Sequence, residues 1–222
     1  MSERINSRQF HEADRTGDWR VFPEGAYAFF RSPSFAASVR LVEAIGRLAP
    51  TGSEPDIDVR GDGVTVLLRT FRTASYGLTR ADLELAPAIS SAAADLGLTA
   101  EPSAIQSLLI IPGSKDRRTI LPFWQAVLAY KPRPDSPEED LVDKHDRGAP
   151  FWFENMDALR SDGDGSVHLV VWVPWDQAES RVAAGVAAGG RMVRHNVDER
   201  FWTLADPAGN EVDIAMTTPP ER

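Results

Sequence analysis

Residues 51–71 read TGSEPDIDVRGDGVTVLLRTF, and this stretch decides how the first half of the chain folds. Ile57 and Val59 alternate with charged residues, Gly61, Asp62 and Gly63 turn the chain, and Val64, Val66 and Leu68 alternate again. That pattern predicts a β-hairpin with one buried face. The buried face needs helices to cover it, and the flanking sequence supplies them. Upstream, SRQFHEADR reads as a short opening helix and GAYAFFR as a strand. SPSFAASVRLVEAIGRLA then places Phe35, Val39, Val42, Ile45 and Leu48 on one stripe at helical spacing, with Ser32 and Pro33 at the cap and first turn. Downstream, LTRADLELAPAISSAAADLG predicts a second helix, with Thr79 as N-cap, Asp82 completing a capping box and Gly97 at the stop. Pro87 within it removes one backbone hydrogen bond and predicts a bend.

The pattern changes after residues 99–103, TAEPS, a short polar segment that reads as a linker. AIQSLLIIP is a strand, TILPFWQAVLAY a helix and APFWFENM a later strand. After the turn SDGDG come the strand VHLVVWVP, the helix DQAESRVAAGVAAGG and the strands RMVRH, FWTLAD and NEVDIA. Asp176 and Glu179 form the expected capping box of that helix, and Gly189 with Gly190 stops it. The second half is thus an internal repeat of strand, helix and strands, twice over.

Composition narrows the function classes. The chain has 222 residues, enough for two small domains with cores of their own. It contains no cysteine, which removes disulfides, thiolate metal ligands and cysteine nucleophiles together. A net charge of -9 with no basic block argues against nucleic-acid and membrane-surface partners. The charged N-terminus MSERINSRQF lacks the apolar core of a signal peptide, and no apolar run is long enough to span a bilayer, so the expected location is cytoplasmic. The expected partner is a small molecule, or a second copy in a homo-oligomer.

On these residues, two resemblances emerge. Residues 1–98 resemble the pterin-4a-carbinolamine dehydratases, whose pattern is His-His-Pro-Asp, a strand, Thr-His, then Gly-Leu-Thr/Ser-x-x-Asp opening a helix. Here the positions hold Ser53, Glu54, Pro55 and Asp56, then VTVLLRT and Phe71, then Gly77, Leu78, Thr79 and Asp82. All three family histidines are absent. Residues 104–218 resemble the glyoxalase-like members of the vicinal oxygen chelate superfamily, through the paired modules, LPFWQAVLAY after the first strand and LADPAGNEVDI at the end. The expected fold is therefore α+β: a dehydratase-like antiparallel sheet with helices on one face, followed by paired βαβββ modules.

The resemblances imply different fates for the two sites. Carbinolamine dehydration needs a group to protonate the departing hydroxyl and another to take a proton, tasks that suit histidine. Ser53 and Phe71 cannot do this, Glu54 reads as an exposed turn carboxylate, and His11 lies outside the motif. In the second domain, mapping by motif puts the first-strand positions of the two modules at Ser107 and His168 and the last-strand positions at Glu154 and Asp213. His168, Asp213 and Glu154 are the implied metal ligands or acid/base groups, and the implied cofactor is a divalent metal such as Zn, Ni, Mn, Fe or Mg. His145 and His195 read as loop residues, at the cavity mouth or on the surface. Trp124, Trp152, Trp172, Trp175 and Trp202 all fall in this half, as in pockets for flat or apolar ligands, although core packing suits Trp124. The resemblance implies a small-molecule lyase, isomerase or dioxygenase. A metal-free binding or resistance protein is the alternative, and a pterin-binding or residual dehydratase function a further one.

Overall fold

The computed structural model describes residues 3–69, 77–156, 167–205 and 211–217, without the side chains of Phe123, Ala126, Val127, Val167 and His168. Phe71, the SDGDG turn and residues 206–210 lie outside the described residues. The chain divides into two compact units: residues 1–105 with 174–176 and 217–222, and residues 106–173 with 177–216. Among the described residues no helix is long and apolar enough to cross a membrane.

The first unit runs β1 (Arg4–Ile5), α1 (Ser7–His11), β2 (Arg20–Phe22), β3 (Gly25–Arg31), α2 (Phe35–Leu48), β4 (Asp56–Arg60), β5 (Gly63–Leu68), β6 (Leu78–Thr79), α3 (Arg80–Asp95) and β7 (Thr99–Ala100). The hairpin forms where the alternation placed it, with Ile57 opposite Val66 and Arg60 opposite Gly63 around a two-residue turn. A side chain at Gly63 would lie 2.5 Å from the Phe30 carbonyl, so only glycine lets β5 approach β3 there. The main sheet has the order β2-β3-β5-β4, with β7 added on β3. Its buried face shares one core with the helices: Phe10 from α1, Leu41 and Ile45 from α2, Leu85 and Ile89 from α3, with Trp19, Phe30, Val64, Val66 and Leu68. This is a mixed α+β unit with an antiparallel sheet.

Three expectations are corrected here. Residues 99–103 are no free linker: Ala100 pairs with Phe30, Thr99 with Arg31, and Glu101 binds the Arg31 guanidinium. In α2 the buried face is Ala37, Ser38, Leu41 and Ile45, whereas Phe35 is 59% exposed and Val39 40%. Small residues at Ala37 and Ser38 allow close approach to the core, which rotates the larger apolar side chains outward. The cap is Ser34, whose hydroxyl accepts from the Ala37 amide, rather than Ser32 or Pro33. By contrast Thr79 and Asp82 form the predicted capping box of α3, Pro87 sits within the continuous helix, and Gly97 follows it at φ 77°.

The second unit runs β8 (Ser107–Ser114), α4 (Leu121–Leu128), β9 (Lys131–Pro132), β10 (Asp140–Val142), β11 (Phe151–Trp152), β12 (Glu154–Asn155), β13 (Val167–Trp172), α5 (Ala178–Ala187), β14 (Arg191–Asn196), β15 (Phe201–Ala205) and β16 (Glu211–Ala215). The repeat is therefore real: a strand, a helix and further strands, twice. Among the described residues these strands make one sheet in the order β14-β15-β16-β13-β8-β11-β10-β9, with β12 also on β8. The two modules meet at the antiparallel pair β8 and β13. The expected Asp176 capping box is absent, since Gln177 occupies the N-cap without a side-chain bond and the Asp176 carboxylate instead binds Arg20 at 2.6 Å. Gly189, at φ 101°, ends α5 as predicted.

Candidate functional site

Side-chain clustering separates the two faces of the second sheet. Val173, Trp202, Leu204 and Ile214 pack with Ala178 and Val182 of α5, and Leu141, Phe151 and Phe153 pack with Leu121, Trp124 and Leu128 of α4. The opposite, helix-free face carries its own cluster, Ile111, Val170 and Ala215 with Leu109, Trp172 and Phe201. Residues directly paired across strands share a face, so the register assigns each candidate to one side.

All four motif positions fall on the helix-free face. Asp213 is paired with Val170 of that cluster, His168 with Ile111, and Ser107 with Trp172. Glu154 is paired with Gly113, two residues along β8 from Ile111. They do not share one level. Asp213 lies one strand from His168 and two residues along, about 8 Å between backbones at normal sheet spacings. Glu154 is three strands from Asp213 and four residues further along β8, about 13 Å in the strand direction alone. Ser107 is likewise four residues along β8 from the His168 level.

Asp213 is the best-held member of the group. It is buried, and the Thr203 hydroxyl on neighbouring β15 donates to its Oδ1 at 2.6 Å. That bond orients the carboxylate. Across the sheet Asp140 lies level with Trp152, also on the helix-free face, and burial raises its carboxyl above the usual range despite Arg133 at 3.3 Å. The tryptophans divide between the faces: Trp124 and Trp202 belong to the helix-side cores, as preferred for Trp124, while Trp152 and Trp172 flank the apolar floor of the other face. Among the described residues, Trp172 Nε1 is buried without a hydrogen-bond partner.

The backbones of His168 and Asp213 stand about 8 Å apart, and Glu154, three strands from Asp213, is too far from it to share one ion's shell. Among the described residues, which exclude the His168 side chain, no group of three or more His, Asp and Glu side chains could hold a metal.

The remaining candidates stand apart. His195 is a strand residue of β14, not a loop residue, and stacks on Trp202 at 4.7 Å on the helix side. His145 is exposed in the loop after β10. In the first unit Glu54 is exposed; the Gly52 amide, donating at 2.9 Å, holds its carboxyl below the usual range, which suits neither a general acid nor a base at neutral pH. His11 is largely buried, its Nε2 accepts from the Val21 amide at 3.4 Å, and burial, with the nearby Arg20 charge, pushes its pKa down to about 4. Neither joins a dehydratase-type pair. The first unit also holds a cleft of about 470 Å³ lined by Arg4, Asn6, Gln9, Phe22, Pro23 and Gly77 among others.

Comparison with known proteins agrees with the second sheet. Residues 110–215 match the family described as "Glyoxalase-like domain". No curated protein matches the chain. Among solved structures, an NAD-dependent benzaldehyde dehydrogenase from Legionella pneumophila aligns at 13% identity and TM-score 0.38, covering 50% of this chain and 99% of that one. A glyoxalase/bleomycin resistance protein/dioxygenase superfamily member from Vibrio splendidus 12B01 aligns at 13% identity and TM-score 0.33, covering 51% and 100%. Superpositions this loose carry no argument. The family match, over just under half of the chain, coincides with the duplicated strand-helix-strand architecture, so the second unit is similar to glyoxalase-like domains.

Proposed function

We propose that the helix-free face of the second sheet is a small-molecule site at which His168 and Asp213 act on an oxygenated, partly apolar substrate, in a lyase, isomerase or dioxygenase reaction. The observation that carries this reading is the buried, Thr203-oriented carboxylate of Asp213 beside an apolar floor of Ile111, Val170 and Ala215. Burial and a fixed hydrogen bond on a rigid strand are what a working acid, base or ligand requires, and an apolar floor supplies binding. A divalent ion held by His168 and Asp213 would supply polarisation of adjacent substrate oxygens. Thr203 holds the carboxylate, and Leu109, Trp172 and Phe201 keep water from the reacting group. In the first unit, we propose a dehydratase-like scaffold without dehydratase chemistry, because Ser53 and the exposed, ionised Glu54 offer no acid/base pair. Purified protein should then show no carbinolamine dehydration above background, and turnover surviving Glu54→Gln would refute that view.

Metal analysis separates the enzyme from the binder. One divalent ion per chain, lost in His168→Ala, supports the metal-assisted enzyme. Metal-free protein that binds an aromatic ligand with quenched tryptophan fluorescence supports the binding or resistance reading.

A further inference from the structure

The strand register gives the helix-free face a cationic edge that no motif announces. Arg194 of β14 pairs with Thr203, Thr203 with Asp213, and Asp213 with Val170, so these four residues form one row across four neighbouring strands. The next row on the same face is Asn196, Phe201, Ala215 and Trp172. Arg191, opposite Ala205, joins Arg194 on this face because the ladder shifts register between Met192 and Arg194; such an irregularity re-aims side chains three residues apart to one side. Both arginines are exposed, and among the described residues neither makes an ion pair. Glu199, the nearby acid of the following turn, accepts from the Asn196 amide instead. The Arg194 guanidinium lies over the Phe201 ring at 5.0 Å, a contact that holds it against the apolar floor.

We infer that Arg194 is the carboxylate-binding residue of this face, so that its ligands are compact apolar or aromatic carboxylic acids. The inference rests on the proposed function of the face and names the class of its substrate. A planar guanidinium grips a carboxylate through two parallel hydrogen bonds, and stacking on Phe201 orients the fork before the ligand arrives. An acid held there lays its apolar body over Phe201, Ala215 and Trp172. Asp213 is two strands from Arg194, about 10 Å between backbones, and so stays clear of the bound anion. Arg191 adds to the positive potential of the same edge. In a chain of net charge -9, that edge attracts anions that the protein as a whole repels.

Benzoate and its neutral counterpart benzamide test this, titrated separately into the full chain with amide chemical shifts as the readout. Benzoate should shift Arg194, Thr203 and Trp172 and bind at least tenfold more tightly than benzamide, as a charge-assisted pair requires. Arg194→Met should abolish that preference, and Arg194→Lys, which keeps the charge without the fork, should retain part of it. Arg181→Met, which removes a cation from α5 instead, should leave the preference within twofold. Matching circular-dichroism melts establish that the variants are folded. Equal affinity for the two probes, a preference that survives Arg194→Met, or no binding of benzoate overturns the inference. If benzamide still shifts the helix-free face in that event, the proposed function stands and only the role of Arg194 falls; shifts confined to the first unit bring down both.

Discussion

Trp19→Ala is expected to cost about 3–5 kcal/mol of stability, the range for removing a fully buried large aromatic. Trp19 has no solvent exposure, meets the Phe30 ring edge-on at 6.3 Å, and donates from Nε1 to the Ser90 hydroxyl of α3 at 3.1 Å. The substitution therefore opens a cavity at the centre of the first core and leaves Ser90 without that donor. Urea unfolding should show the midpoint of the first unit falling by about 2 M, at a slope of about 2 kcal/mol/M. Trp19→Phe, which keeps most of the volume and loses the hydrogen bond, should fall much less. Equal losses in the two variants would show that packing is not what Trp19 contributes.

Removing the Asp176 carboxylate should be nearly as damaging, and more damaging than removing its partner. The Arg20 side chain is only 10% exposed and makes its ionic contact with Asp176, with further donations to the Gly17 and Trp19 carbonyls. Its guanidinium also lies over the Trp175 ring at 5.5 Å. Asp176→Ala leaves a buried cation without its anion, which costs about 3 kcal/mol, whereas Arg20→Met leaves a carboxylate that is 32% exposed and can be solvated. The same cluster shapes the acid limit. His11 takes up a proton near pH 6.5 when unfolded but only near 4 when folded, so its contribution to stability is complete above about 6.5 and is lost progressively as the pH falls toward 4. His11→Gln should remove this part of the acid sensitivity. Urea midpoints at pH 7 and pH 4.5 for the three variants check both expectations, and an Arg20→Met loss larger than that of Asp176→Ala would contradict the assignment.

The parts of the fold legible in the sequence are those set by local chemistry. Alternation around Gly61, Asp62 and Gly63 is enough for a hairpin, and Thr79 with Asp82 is enough for a helix start. The errors occur where a distant partner overrides a local preference. Asp176 has good capping chemistry for α5, but Arg20, far away in the chain, takes its carboxylate. Spacing alone puts Phe35 and Val39 on the inner stripe of α2, but Ala37 and Ser38 allow the closer packing and occupy it. For the site, the motif positions Asp213, His168 and Glu154 fall on one face of the sheet, because a strand motif fixes the parity of each residue. It could not show which residues stand level with one another. Thr203 beside Asp213 depends on the register of β15 against β16, which the motif does not carry.

The central claim is that function resides on the helix-free face of the second unit's sheet, around Asp213 and His168. Amide chemical-shift mapping of the full chain, titrated with a panel of small aromatic and oxygenated acids, tests it most directly. The account predicts that shifts from any binding compound concentrate at Leu109, Ile111, Val170, Trp172, Thr203 and Asp213, and that Asp213→Asn weakens that compound at least tenfold. Shifts confined to the first unit, around Arg4, Phe22 and Gly77, or binding indifferent to both Asp213→Asn and His168→Ala, would contradict it.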